Sequence, residues 1–230
     1  MLNLEDYYED IPTAYQYTAQ GNFEEAINIY TSLLDNINPD DETVPYLYLN
    51  YANCLIKNCN QFFIEEIKNI HSGFDLKKRE IYEDDLENAW SLLEICRSSF
   101  SILKDEYNLS KTYFLLGEIS LLNNEFRDAI RDFIETESLY KKCKVEDNEY
   151  IELYMSMSSA YEFLEEYEQA LKILRDVEGI CKKREIIYED IREKIEEIES
   201  KKERPVKEEP QEEEEDTSEI KDINNNKRRL

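Results

Sequence analysis

The sequence predicts an all-α solenoid of stacked helix pairs, and three observations carry that prediction. The chain has four glycines and five prolines in 230 residues, too few turn formers for an all-β fold and too few glycines for a phosphate-cradling α/β fold. A pattern of small residues and alanines recurs along the chain at near-constant spacing, which marks a repeat architecture. Aromatic residues make up 12% of the chain and charged residues 36%. Disordered chains are poor in aromatics, so most of this one is expected to fold.

The recurring unit is an aromatic residue, a small residue four positions on, and an alanine twelve beyond that. The third copy reads Tyr113, Leu116 and Gly117, then Phe126, Ala129, Ile130 and Phe133. The fourth reads Tyr154, Met157, Ser158 and Tyr161, then Tyr167, Ala170, Leu171 and Leu174. The first comprises Ala14, Tyr17, Gly21, Phe23, Ala26, Ile27 and Tyr30, with Pro39 closing the unit. Small residues let two antiparallel helices approach closely, and the large apolar ones fill the space between neighbouring pairs. This is the tetratricopeptide pattern.

The second copy is interrupted. Tyr48, Tyr51, Ala52 and Leu55 supply its first helix, but the matching alanine, Ala89, comes 37 residues after Ala52, so about 25 residues are inserted. With these removed, successive alanines lie 38, 40 and 41 residues apart, against about 34 in an ordinary repeat. The second helices are therefore expected to run on by a turn or more.

The solenoid is expected to span residues 1–202, with the insertion at about 60–84 and a capping helix at about 184–202. Ile187, Ile191, Ile195 and Ile198 give that helix one apolar face. Asp190 with Lys194 and Glu197 with Lys201 are acid-before-base pairs, each worth about 0.3 kcal/mol. Residues 203–230 hold Pro205, Pro210, the acidic run Glu212 to Asp216 and almost nothing apolar. They are expected to form a disordered acidic tail. Its basic end, Lys227-Arg228-Arg229, is a short candidate signal for nuclear import.

The formal net charge is −26. The tail carries ten acids and six bases, which leaves −22 on residues 1–202, and residues 1–59 contain ten acids and one base, Lys57. Such a surface argues against direct binding to nucleic acid or an anionic membrane and favours a basic protein partner. No stretch approaches the roughly 20 apolar residues that span a bilayer, and Met1 to Asp6 lacks the features of a secretory signal. Cys54, Cys59, Cys96, Cys143 and Cys181 form no Cys-x-x-Cys pair, which predicts buried free thiols in a reducing, intracellular compartment. His71 is the one histidine, and no catalytic triad, zinc cluster or glycine-rich phosphate loop can be assembled. Neither catalysis nor a cofactor nor a metal is expected.

An interrupted second repeat, long second helices and an acidic chain together resemble the NASP-like histone chaperones, the SHNi-TPR family. Glu87-Asn88-Ala89-Trp90-Ser91-Leu92-Leu93-Glu94 is similar to that family's helix after the interruption. Leu115-Leu116-Gly117-Glu118, and Tyr161-Glu162-Phe163 through Tyr167-Glu168-Gln169-Ala170, resemble its third and fourth repeats. Asp190 to Glu196 resembles its capping helix, so the likeness covers residues 10–200. One departure stands out: the family's interruption is usually acidic, whereas Asn60 to Asp84 holds six acids and four bases. Phe63, Ile67, Ile70 and Phe74 there fall at helical spacing, which favours a small helix packed on the solenoid over a partner-binding helix.

First helices line the concave groove of a tetratricopeptide solenoid. Phe114, Glu118 and Leu121 of the third repeat, with Glu152, Met155 and Glu162 of the fourth, are expected to face it and to receive an amphipathic basic helix. The resemblance implies that the partners are histones three and four, with histone three bound most directly through its C-terminal helical part. It also implies that the chain shields their basic surfaces and delivers them for chromatin assembly. Linker histone is a further candidate partner. The expected location is the nucleus, with the cytoplasm second. The alternative is an adaptor that clamps the acidic C-terminal peptide of a heat-shock chaperone or another protein. Asn50 and Lys111 suit that role, but Ile11, Tyr15 and Leu115 stand where polar or basic groups are needed.

Overall fold

The computed structural model describes residues 2–68, 76–185 and 189–203. Within them the chain is helical and contains no strand. A short 3-10 turn at Leu4–Asp6 precedes α1 (Ile11–Ala19), α2 (Phe23–Asp35), α3 (Val44–Lys68), α4 (Leu76–Leu103), α5 (Glu106–Leu122), α6 (Phe126–Cys143), α7 (Asp147–Phe163), α8 (Tyr167–Arg184) and α9 (Glu189–Lys202). Helices α1 to α8 form four antiparallel pairs, each second helix packs on the first helix of the next pair, and α9 packs on α8. That is the tetratricopeptide solenoid with a C-terminal helix.

The recurring small residues stand where the helices cross. Ala14, Ala26, Ala52, Ala89, Ala129 and Ala170 are all fully buried. At Gly117 the approach is closer still: a Cβ there would lie 2.5 Å from Cε1 of the fully buried Phe133 ring. Only glycine lets α5 sit this near α6. The joins between helices use left-handed backbone at matched positions. Gly21, Asn124 and Glu165 (φ 76, 62 and 59°) turn first helix into second, and Lys104, Lys144 and Glu185 (φ 56, 56 and 58°) follow α4, α6 and α8.

The long repeat spacing is met in two ways. Helices α6 and α8 reach 18 residues each, as the spacing predicts. Helix α2 stops after 13 residues, and the loop 36–43 takes up the difference. Asp41 organises that loop by accepting hydrogen bonds from the Thr43 amide (2.9 Å) and hydroxyl (2.6 Å). These bonds hold its carboxyl below the usual range.

The described part of the insertion is not a separate small helix. Residues 60–68 continue α3, which is 25 residues long, and 76–84 begin α4, which is 28. The reason is register. Phe63 continues the buried stripe of α3 onto the core shared with α4 and α5. Phe62 stacks on Tyr82 of α4 with ring centroids 4.1 Å apart, and the Cys59 thiol donates to the Tyr82 carbonyl at 3.4 Å. Ile70, Phe74 and His71 lie outside the described residues, as does the tail beyond residue 203.

Four of the five thiols are buried and Cys143 is half-buried. Burial pushes Cys59 and Cys96 up to about 12, so they stay protonated and act as small apolar fillers. Helix α9 seats Ile191 and Ile198 against α8. The Asp190–Lys194 pair expected from spacing gives way to a longer-range one: Lys194 reaches Glu162 of α7 at 2.7 Å and Glu197 at 3.3 Å. Ile187 lies outside the described residues.

Candidate protein-binding groove

The first helices bring one face each to a concave groove of about 480 Å³. Helix α3 supplies Tyr46, Leu49, Asn50, Asn53 and Lys57, a run at three- and four-residue spacing that one helical face must carry. Helix α5 supplies Tyr107, Asn108, Lys111, Phe114 and Leu115, while Tyr15, Tyr140, Glu149 and Glu152 come from α1, α6 and α7. Leu2, Asn3 and Leu4 also line it. Buried Leu4 anchors this segment, and the Tyr8 hydroxyl lies 2.6 Å from the Thr43 hydroxyl.

Capping sets the register of α5. Asp105 accepts the Asn108 amide at 3.1 Å, and its other oxygen accepts the Asn108 side chain at 2.8 Å and the Tyr46 hydroxyl at 3.2 Å. One carboxylate thus caps α5 and ties it to α3, which holds the Asn108–Lys111–Phe114 face opposite Asn50 and Lys57. The Lys111 ammonium lies 4.3 Å from the Tyr107 ring centre. The α3–α5 half of the groove is therefore amide, tyrosine and lysine, and the α7 side is acidic. Lys57, the one base among the first 59 residues, is spent here.

Of the six residues expected in this groove, Phe114 and Glu152 line it. Glu118 stands one turn beyond Phe114 on α5, and its Oε1 is buried with no hydrogen-bond partner among the described residues. Burial drives its carboxyl above the usual range; Ser156 draws it down, Glu152 pushes it up, and Lys57 draws it down again. Leu121 and Met155 are half-buried packing residues: Leu121 fills the α5–α6–α7 core, and Met155 sits under α8 and α9. Glu162 is not a free groove carboxylate. Its side chain is 11% exposed and is gripped by Lys194 and Lys201 of α9.

Sequence reading missed Lys57, Asn53, Asn108 and the tyrosines. The spacing of Tyr46, Asn50, Asn53 and Lys57 was the signal available for α3. For Glu162 there was none, since its partners lie more than thirty residues later.

A second cleft, of about 240 Å³, runs between α4 and α6 beside Trp90, which is 50% exposed. Asp132 lies in it. Burial lifts its carboxyl to about 6 against the opposing pull of Arg97 and Arg131, with Glu94 and Glu135 adding to the rise. A folded-state value above the unfolded one means that the penalty is full above about pH 6 and fades as the pH falls towards 4. Asp132→Asn should therefore raise the melting temperature at pH 8 and lose that advantage near pH 4. Melts at the two pH values check this, and an equal difference at both would refute it.

Among the described residues no helix is long and apolar enough to cross a membrane. No curated protein matches the chain. Among solved structures it resembles a Podosopora anserina protein described as a kinesin light chain with nearly identical TPR-like repeats, with a TM-score of 0.50 at 11% identity over 89% of this chain and 100% of that one. A point variant of the same protein gives 0.51 at the same identity and coverage. These likenesses speak to the fold alone.

A tetratricopeptide-repeat pattern matches residues 14–45, which hold most of α1 and all of α2. The SHNi-TPR pattern matches residues 110–144, most of α5 and all of α6. Both fall on helix pairs that the alanine spacing and the structure delimit independently, and the second holds Lys111, Phe114 and Glu118. Two separate helix pairs of the chain thus match tetratricopeptide-type patterns, one of them the SHNi-TPR pattern, and these matches support assignment to the SHNi-TPR, NASP-like family.

Proposed function

We propose that the chain is a histone chaperone that binds histones three and four on its concave face, covers their basic surfaces and passes them on for chromatin assembly. It is a protein-interaction scaffold by fold, and the proposal concerns what it holds. One observation carries it: the SHNi-TPR segment 110–144 coincides with the helix pair that bears Glu118, Phe114 and Tyr140. A formal charge of −26 supports the reading, since such a field draws in a basic protein and competes with nucleic acid for it. Histone three makes the most direct contacts, linker histone is the further candidate, and the nucleus is the place of work, with the cytoplasm second.

The amide-and-lysine half of the groove favours a second reading. Lys57, Lys111, Asn50, Asn53 and Asn108 could hold the carboxylate and backbone of an acidic peptide end. Co-elution of the purified chain with the histone three–four pair, at physiological salt and with a competing acidic peptide bearing a free C-terminus, separates the two. The expected result is a histone complex that the peptide does not displace. Peptide binding without histone binding would replace the first reading with the second. Removing residues 203–230 should change the association rate more than the affinity, because attraction between solvated charges is screened beyond about 8 Å. Loss of histone binding on that truncation would move the binding site to the tail.

A further inference from the structure

Glu118 and Glu162 stand on first helices of successive repeats, and the chain treats them oppositely. Glu162 is enclosed and satisfied: Lys194 and Lys201, one heptad apart on α9, both close on it. Their helix also brings Ile191, Ile195 and Ile198 against the solenoid. Glu118 is enclosed too, yet Oε1 accepts no hydrogen bond among the described residues. Across from it α7 gives the carboxyl one side-chain hydrogen bond, from Ser156, and sets another acid, Glu152, beside it, while the α3 base, Lys57, acts on it only through its charge. A buried carboxylate oxygen without a donor is costly, and native proteins rarely leave one. A neutral side chain of the same shape would relieve that cost.

We infer that Glu118 is the receptor for one lysine or arginine of the bound partner, carried on an amphipathic helix with aliphatic neighbours as Lys194 and Lys201 are carried on α9. This rests on the reading of the concave face as the protein-binding site and adds the residue that selects for a cation there. Glu118 follows Lys111 and Phe114 along one face of α5, at seven and four residues, so it continues the groove towards α7. The residue keeps part of its surface open. Rotation about its soft terminal torsion exchanges the two oxygens, so an incoming ammonium or guanidinium can engage either. The bond formed is charge-assisted and largely out of water, where it is strongest.

A structural role and a receptor role predict opposite pairings of stability with binding. The test uses the full chain, its Glu118→Gln variant and, as a charge-matched control, Glu135→Gln on the exposed face of α6. Two probes are titrated by fluorescence anisotropy: the histone three–four pair, and a synthetic helix of leucine, alanine and two lysines seven residues apart. Glu118→Gln should melt at or above the wild-type temperature and bind either probe at least tenfold more weakly, while the control matches wild type in both. Unchanged binding by Glu118→Gln overturns the inference while histone binding by wild type stands. A melting temperature that falls in step with affinity also overturns it, since Glu118 would then be structural. If wild type binds the synthetic helix through Glu118 but not the histones, the histone reading fails and the receptor assignment holds. Binding of neither probe overturns both.

Discussion

Phe133→Ala is expected to lower the unfolding free energy by about 3–5 kcal/mol, the range for removing a fully buried aromatic ring. Phe133 is fully buried in the α5–α6–α7 core, tilted against Phe114 with ring centroids 5.9 Å apart. The complementary change is Gly117→Ala. Alanine favours a helix interior by about 1 kcal/mol over glycine, but its Cβ would stand 2.5 Å from the Phe133 ring. Overpacking typically costs about 1–3 kcal/mol, so the net change should be a loss. Adding Phe133→Leu should recover part of it, because the two positions share one contact and cannot act additively. Chemical denaturation of the three variants measures this. A Gly117→Ala variant more stable than wild type would show that α5 and α6 can part without cost.

The second large effect concerns the end of the solenoid. Ile198 is fully buried against Ala170, Leu171 and Leu174, so Ile198→Ala should cost about 2–5 kcal/mol. The loss should be local. Helix α9 packs mainly on α8, and stability in repeat proteins is nearest-neighbour in kind. Hydrogen exchange should accelerate along Glu189–Lys202 and the exposed face of α8, while α3 to α6 keep their protection. Glu162→Gln should act in the same direction by about 1 kcal/mol, between an exposed pair and a buried one. Equal acceleration throughout the chain would mean that the repeats unfold as one unit.

The repeats were legible in the sequence because their physical cause is local. A helix crossing needs a small residue at a fixed place, and Ala26, Ala89, Ala129 and Ala170 print that need at readable spacing. The path of the insertion was harder to see. Phe63 fits a free amphipathic helix and a continuation of α3 equally well, and the contacts of Phe62 and Cys59 with Tyr82 decide between them. Phe114 and Glu152 fall on the groove lining because first-helix faces follow from the repeat. Glu162 was misplaced because its burial depends on lysines from α9, a contact that no local pattern encodes. Lys57 was counted as a scarcity of positive charge, when its position on the α3 face was the informative fact.

The left-handed joins carry a consequence for how this chain could be altered. Lys104, Asn124, Lys144, Glu165 and Glu185 hold φ between 56 and 62°, a conformation that costs a side chain roughly 1–2 kcal/mol and glycine almost nothing. The packing of neighbouring helices, and not the residue itself, enforces the bend. Each join is thus an untapped reserve of thermal tolerance, open to single glycine replacements at sites outside the binding groove. A lineage under selection for heat resistance would find these positions early, and could draw on them while every residue of the recognition surface stayed as it is.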